Sequence, residues 1–445
     1  MGAGSTINTN LAAGTDAVVI CTPDNAGRLI GKRIPAERWE TVRAGGLPMP
    51  DFHLITGIEN VPLEGMTVTG RRRGFPNGLL VPVTDTLCQP AWEPGSALVL
   101  CDVADASGRP VGQAPRAILR HQLARLAETG LTATFASELE FYLFKTPYQR
   151  ARASGYRELV PSYHVHADND VLVAGYDNDF VTSVRRAMDS VGVGIDQWQG
   201  EGGPGQHEIN LRYAEPLAMA DRHVLYKHGV KALAHASDLS VTFMAKPFTA
   251  EAGSGCHVHF SLYDADGLPA LGTRDLSPLG RSFLAGLLAH GPELTLLHAP
   301  YANSYRRLQP ESFAPVNATW GWDNRTCMVR VVRGDESCRF EFKVPGADVN
   351  PYFCYAAIIA AGLAGVEHGL EPPDAVSGDA WAEAGAARLP ADLTEAVAAF
   401  ASSKLAERAF TPAIHQHLLG LAGHELGASR REVTDWEVKR GFENA

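Results

Sequence analysis

Three stretches of the chain alternate strictly between charged and apolar residues. In SELEFYLF, Ser137 to Phe144, Glu138 and Glu140 share one parity while Leu139, Phe141 and Leu143 take the other. GCHVHFSL, Gly255 to Leu262, sets His257, His259 and Ser261 against Val258, Phe260 and Leu262. CRFEFKV, Cys338 to Val344, sets Arg339, Glu341 and Lys343 against Phe340, Phe342 and Val344. Side chains on a strand change face at every residue, so this pattern predicts three strands with one face for a core and one charged face. A fourth segment, GEGGPGQHEINL, carries Glu201 and Glu208 around a glycine-rich bend. Any one such strand is ordinary, because alternating strands usually turn their polar side to water. A solvent face normally carries Thr, Lys and Ser, however. These carry acids, imidazoles and arginines.

Shorter β-like runs precede them. Ala17–Cys21 and Leu29–Ile34 flank the turn PDNAGR, and further runs fall at Met66–Thr69, Leu79–Val83 and Ala97–Cys101. Gly and Pro separate them, which predicts a small β-rich domain over residues 15–105 after a flexible arm over 1–14. DASGRPVGQAP, Asp105 to Pro115, marks a break, and residues 106–445 form the second domain. Pro115 opens a helix to Thr129 with Ile118, Leu119, Leu123 and Leu126 on one stripe. Helices are also expected over Phe180–Val191, Leu217–Ala236, Pro278–Ala289, Pro351–His368 and most of Leu393–Arg431. The fold class is α+β, a mainly antiparallel sheet backed by helices on one side.

Composition narrows the chemistry. The chain has 445 residues, 45% of them hydrophobic, enough for a large core. A net charge of -11 argues against a nucleic-acid partner. The apolar run Tyr352–Val366 is too short to span a membrane, and the first ten residues have no signal-peptide pattern. Seven scattered cysteines without a CxxC pair fit reduced, packed thiols in the cytoplasm.

If the charged faces converge, five carboxylates and a histidine meet. Such a cluster cannot stay ionised in a cleft without cations. Hard oxygen donors suit Mg²⁺ or Mn²⁺, and five acids exceed what one octahedral ion needs, so two metals are expected. Arg325, Arg330 and Arg339 supply guanidinium forks suited to phosphate oxygens. Metals with arginines point to a nucleoside triphosphate and phosphoryl transfer. No GxxxxGK[ST] is present, which excludes a P-loop. His164 and His166 alternate as on a strand and are expected in solvent, His207 is expected to be structural, and Trp320 and Trp322 are expected to pack.

The ordered segments DNAGRLIGKRIP, SELEFYLF, EGGPGQHEI, GSGCHVHFSL, NSYRRLQPESFAP, NRTCMVRV and RFEFKVPGADVNPY resemble glutamine synthetase of the bacterial type I class over nearly the whole length. The resemblance implies a β-grasp-like N-terminal domain, a catalytic domain with a curved antiparallel sheet, and a dodecamer of two stacked hexameric rings with sites between neighbouring subunits. It implies that Glu140, Glu201 and Glu208 hold the metal on the acid-substrate side. Glu138, His257 and Glu341 hold the metal on the nucleotide side. His259, Ser261, Arg325, Arg330 and Arg339 contact ATP. Arg307, with Gly253, grips the substrate carboxylate, and Asp24 reaches across a subunit boundary to deprotonate the amine. The implied reaction passes through a γ-glutamyl phosphate.

The sequence departs from that family pattern at the flap. Where the family reads close to PGYEAP, this chain has PESFAP, Pro310 to Pro315, so Phe313 replaces the flap glutamate. A bare ammonium wants a carboxylate cage, whereas an aromatic ring offers an apolar or cation–π wall. Lys343 stands where an arginine usually contacts the glutamate side chain, and Ala252 where an asparagine usually helps hold it. SGDAWAEAGAARLP shows no counterpart of the adenylylated tyrosine. The expected function is an ATP-dependent ligase of the γ-glutamylamine ligase subgroup, acting on an amine larger than ammonia: ethanolamine, an alkylamine, a polyamine or an arylamine. The alternatives are an ordinary glutamate–ammonia ligase and a catalytically idle paralogue.

Overall fold

The computed structural model describes residues 11–334 and 336–444. Most of the arm expected over 1–14 lies outside them. Residues 11–14 lead into a turn closed by Thr15 N–H donating to the Ala12 carbonyl at 3.2 Å.

The N-terminal sheet contains β1 (Ala17–Pro23), β2 (Leu29–Pro35), β3 (Leu47–Pro50), β4 (Asn77–Pro82) and β5 (Ser96–Ala104), in the order β2-β1-β5-β4-β3. β1 runs parallel to β5, and the other pairs are antiparallel. Val18, Ile20, Leu80, Val99 and Cys101 build a core of its own. The strand expected at Met66–Thr69 is a bend instead. Met66 and Val68 do pack on this core, but the Thr69 hydroxyl donates to Asp51 at 2.6 Å rather than joining a ladder. The sheet edge is taken by β3, whose Pro48 and Pro50 suit a strand with only one neighbour.

The larger sheet contains β6 (Thr132–Phe144), β7 (Ile195–Gly200), β8 (Gln206–Leu211), β9 (Ser240–Thr242), β10 (Cys256–Tyr263), β11 (Trp320–Trp322), β12 (Val329–Val332) and β13 (Arg339–Phe342). Its order is β11-β12-β13-β10-β6-β8-β7, with β9 beside β6. Every pairing except β11 with β12 is antiparallel. The three alternating strands therefore lie side by side, with β10 between β13 and β6.

Their apolar residues face helices. Phe135 lies 4.9 Å from the Tyr355 ring, and Phe260 lies 5.9 Å from Phe283. The helix Pro351–Glu367 is apolar on nearly all sides and buried along most of its length, as that composition requires. It crosses the helix Pro278–Leu294 at glycines. A Cβ on Gly286 would stand 2.2 Å from the Ala361 carbonyl oxygen, so the two backbones nearly touch. The helices Pro115–Glu128, Asn178–Ser190 and Pro216–Ala236 fall within one to two residues of their expected bounds. Among the ties between the N-terminal sheet and the helices of the second part, Arg116 bridges Asp102 of β5 and Asp221, and Asn350 donates to the backbone carbonyls of Asp24 and Asn25. Among the described residues no helix is long and apolar enough to cross a membrane. All seven cysteines are free, and six are buried.

Candidate active site

The charged face of the larger sheet is assembled by register. Glu138 on β6 faces His257 on β10, His259 on β10 faces Glu341 on β13, and Glu341 faces Arg330 on β12. On the other side of β6, Glu140 faces Glu208 on β8. Like charges directly opposite on a sheet repel, so the last pairing is unfavourable unless a cation sits between or beside them.

Glu138 is well served by its neighbours. Its Oε1 lies 2.6 Å from His257 Nδ1, and its Oε2 lies 3.1 Å from His259 Nε2 and accepts from Asn210 Nδ2 at 2.9 Å. Burial opposes its ionisation most strongly, yet the hydrogen bonds and charge of His257 and His259 hold its carboxyl well below the usual range. Glu341 accepts from Lys343 Nζ at 3.2 Å and Arg330 Nη1 at 2.8 Å. Burial works against its ionisation too, but Lys343 and then the two histidines bring it down to about 2.

The acids on the β8 side lack such partners. Glu140 accepts from the Gly255 N–H at 2.9 Å and Gln206 Nε2 at 3.2 Å, and is pushed up to about 7 by burial and the charge of Glu201. Glu201, in the bend after β7, is raised by burial. Glu208 is pushed up to about 11 by burial and then by Glu138, Glu140 and Glu201. A carboxyl so strongly held in its neutral form marks a place with negative charge in excess.

The other expected site residues divide. Arg307 is buried between Glu140 and His257, its guanidinium donating to the Val344 and Lys343 carbonyls at 3.0 and 3.2 Å. Gly253 lies against it: a Cβ there would stand 2.8 Å from Arg307 Cγ. Lys343 is buried, with its ammonium on Glu341 and 3.3 Å from His257 Nε2. The Ser261 hydroxyl donates to the Cys338 carbonyl at 3.4 Å. Arg325 and Arg339 are exposed, whereas Arg330 is shared between Glu341 and Asp323. Phe313 is 66% exposed and meets Trp381 edge-on at 6.1 Å. Both it and Glu311 have positive φ, +56° and +61°, so the flap holds a backbone shape that side chains resist.

Asp24 lies in the β1–β2 turn. It is 2% exposed, and its carboxylate accepts from the Ala26 and Arg28 N–H groups and from Arg28 Nε at 2.8 Å. Those bonds close the turn. His164 and His166 are exposed as expected but lie in a loop, not on a strand. His207 is structural, paired with Asp177 at 2.8 Å and stacked on Phe141. Trp320 packs in the core, while Trp322 lies under the Arg333 guanidinium at 3.6 Å.

Two residues escaped the sequence reading. Gln206 bonds Glu140, the Gly253 carbonyl and Ser254, and Asn210 bonds Glu138. Both are two residues from Glu208, so the same period-two rule places them on its face.

The donor set fits a divalent cation. Glu138, His259 and Glu341 each offer a ligand atom within 4.8 Å of the others. Among the described residues His259 Nδ1 is buried without a partner, and Glu208 has no basic side chain paired with it. Carboxylate oxygens with one imidazole are the chemistry of Mg²⁺ and Mn²⁺. His257 Nδ1 lies beside the same two acids, 2.6 Å from Glu138 Oε1 and 3.5 Å from Glu341 Oε1.

Comparison with known proteins shows the family. Residues 112–441 match the family "Glutamine synthetase, catalytic domain". A gamma-glutamylethanolamide synthetase of Streptomyces coelicolor is 41% identical over 436 residues, covering 97% of this chain and 94% of that one. A glutamate–isopropylamine ligase of a Pseudomonas species is 34% identical over 433 residues, covering 96% and 94%. A solved structure described as a GmaS/ADP complex superposes with a TM-score of 0.84 at 29% identity, over 97% of each chain. With acids, histidines and arginines meeting on one sheet face, and likeness running from the N-terminal sheet to the last helices, the chain belongs to the glutamine synthetase family, whose members depend in general on ATP and a divalent metal.

Proposed function

We propose that the protein is an ATP-dependent ligase that joins the γ-carboxylate of glutamate to an amine larger than ammonia, releasing ADP and phosphate. The observation that carries the reading is Phe313: an exposed aromatic ring stands in the flap where the family's pattern has a carboxylate. Ammonium gains most from a charged cage, an alkylammonium from an apolar wall. The two relatives named for ethanolamide and isopropylamine products support the same direction.

Residue roles follow from charge and position. Glu138, His257, His259 and Glu341 form the nucleotide side, and Glu140, Glu201 and Glu208 the acid-substrate side, with Mg²⁺ or Mn²⁺ held by each set. Bound there, the metals neutralise phosphate charge and reduce the repulsion between two anions. Arg325, Arg330 and Arg339 steady the triphosphate beside Ser261. Arg307, fixed by two backbone carbonyls and Gly253, presents a rigid guanidinium to the glutamate carboxylate, and Lys343 adds a second positive charge. The γ-carboxylate attacks ATP to form γ-glutamyl phosphate, and the amine then displaces phosphate. Positioning and charge neutralisation supply most of the rate. Asp24, whose carboxylate accepts three hydrogen bonds in its own turn, is assigned to take the amine's proton across a subunit boundary.

We also assign residues 15–105 and 106–445 to two domains, on the strength of their two sheets, with assembly as two stacked hexameric rings in the cytoplasm on family likeness. The function is tested by phosphate release with glutamate, ATP and a panel of ethanolamine, isopropylamine, putrescine, aniline and ammonia. Turnover of an organic amine well above ammonia is expected. Activity with ammonia alone, at ordinary glutamine synthetase efficiency, overturns it.

A further inference from the structure

A second cavity, sharing no residue with the acid cluster, opens between the N-terminal unit and the last long helix, Thr411–Ser429. Its volume is about 200 Å³. Leu296, Leu297, Phe353, Leu418, Leu421 and Ala422 form apolar walls, and Ile58 and Leu63 come from the N-terminal loop opposite. Glu59, from that loop, and Glu425, from the helix, also line it. Tyr301 adds a phenol, and Asn25 and Asn350 add amides.

The charges are unbalanced. Among the described residues neither Glu59 nor Glu425 has an ion-pair partner. Arg431 lines the mouth but is exposed and bridges neither acid. His424 is engaged elsewhere, its Nε2 2.6 Å from the Glu64 carbonyl oxygen. Burial pushes the Glu425 carboxyl up, a hydrogen bond from the Ala302 backbone partly offsets that, and the charges of Glu59 and Asp348 add to the rise. An apolar chamber with a half-buried glutamate on one wall and an exposed one at the opposite edge, neither in an ion pair among the described residues, attracts a cation with an apolar body; a hydrated metal ion gains nothing from the leucines.

We infer that this cavity is a binding site for a small organic ammonium ion with an alkyl or aryl body, its nitrogen held by Glu425 and Glu59 and its body by the leucine walls. Such an occupant touches both the 56–63 loop and the terminal helix, which are already clamped at their margin by His424 on Glu64 and by Met66 against Gly420. It therefore steadies one unit against the other. The inference is independent of the ligase reading, because it concerns binding away from the acid cluster.

Calorimetric titration of the full-length protein with isobutylammonium and benzylammonium, without ATP, glutamate or metal, tests it. Isobutanol is the uncharged control. Glu425→Gln is expected to weaken binding roughly tenfold or more, the worth of a charge-assisted contact. Leu421→Trp, which fills the chamber, is expected to abolish binding, and Glu201→Gln in the acid cluster to leave it unchanged. Thermal melting of each variant checks folding; if Leu421→Trp fails to fold, Glu425→Gln decides. Absence of binding, equal binding of isobutanol, or binding that survives Glu425→Gln overturns the assignment. The failure of the amine panel in turnover would leave this result standing, and the reverse holds too.

Discussion

Replacing Phe313 by glutamate asks whether one side chain sets amine preference. The residue is 66% exposed and touches Trp381 only edge-on, so its loss should cost little stability, under about 1 kcal/mol. Its φ of +56° strains phenylalanine and glutamate alike, so the exchange adds no new backbone cost. Two effects then act in the same direction. Losing the ring removes part of the contact with a substrate's alkyl body, about 1 kcal/mol at roughly 0.8 kcal/mol per methylene. Gaining a carboxylate attracts any ammonium, but solvent screens it to about 1 kcal/mol at such an exposed place. The bare ion gains most, because it has no alkyl body to keep dry. Together these shift the ammonia-to-alkylamine ratio of kcat/KM by about 2 kcal/mol, or roughly 30-fold. The assay is coupled phosphate release at saturating glutamate and ATP, with each amine varied. KM for glutamate and ATP should stay near wild type, and Phe313→Leu should keep the alkylamine preference. A Phe313→Glu ratio within about threefold of wild type, given the expected energy, refutes the argument.

Glu138→Gln removes the carboxylate that β10's two histidines and Asn210 converge on, so Mg·ATP binding by calorimetry should fall by at least about tenfold, and thermal stability without metal should fall too, because the histidines lose the charge that pairs with them. His298 and His417 are buried neutral, lowered by burial from 6.5 to about 3 and about 4. The unfolded chain binds both protons near pH 6.5 and the folded chain does not, so their contribution to stability is complete above about pH 6.5 and falls as pH drops through the folded values. At pH 5 each should cost about 2 kcal/mol, and His417→Leu should remove its share of the slope in melting temperature between pH 7 and 5; an unchanged slope counts against the assignment. Gly286→Ala drives a methyl into the Ala361 carbonyl and should destabilise by about 1–3 kcal/mol, read as a lower melting temperature, whereas Gly423→Ala, with open space around it, should be neutral or stabilising.

Much of the site was legible because strand periodicity is a local rule. SELEFYLF, GCHVHFSL and CRFEFKV had only to be strands for their acids and histidines to share a face, and the same rule extends to Gln206 and Asn210. The helices were legible for a similar reason: prolines at their first turns and apolar stripes lie within a single segment. Misreadings came where a local pattern had a non-local competitor. Met66–Thr69 alternates, but a strand needs a neighbour, and the edge went to the proline-bearing β3.

Sequence alone therefore determined which residues could do chemistry and which face of each strand they occupied, because backbone geometry dictates those from neighbours in the chain. Only the tertiary structure decided which charges meet. Register put Glu140 opposite Glu208, acid against acid, while His259 opposite Glu341 placed a lysine and an arginine in the same group. The same packing placed Glu59 and Glu425, far apart in the chain, across one apolar chamber. Such pairings depend on distances between remote segments, and in a buried, low-dielectric setting those distances decide whether a carboxyl is ionised, neutral or waiting for a cation.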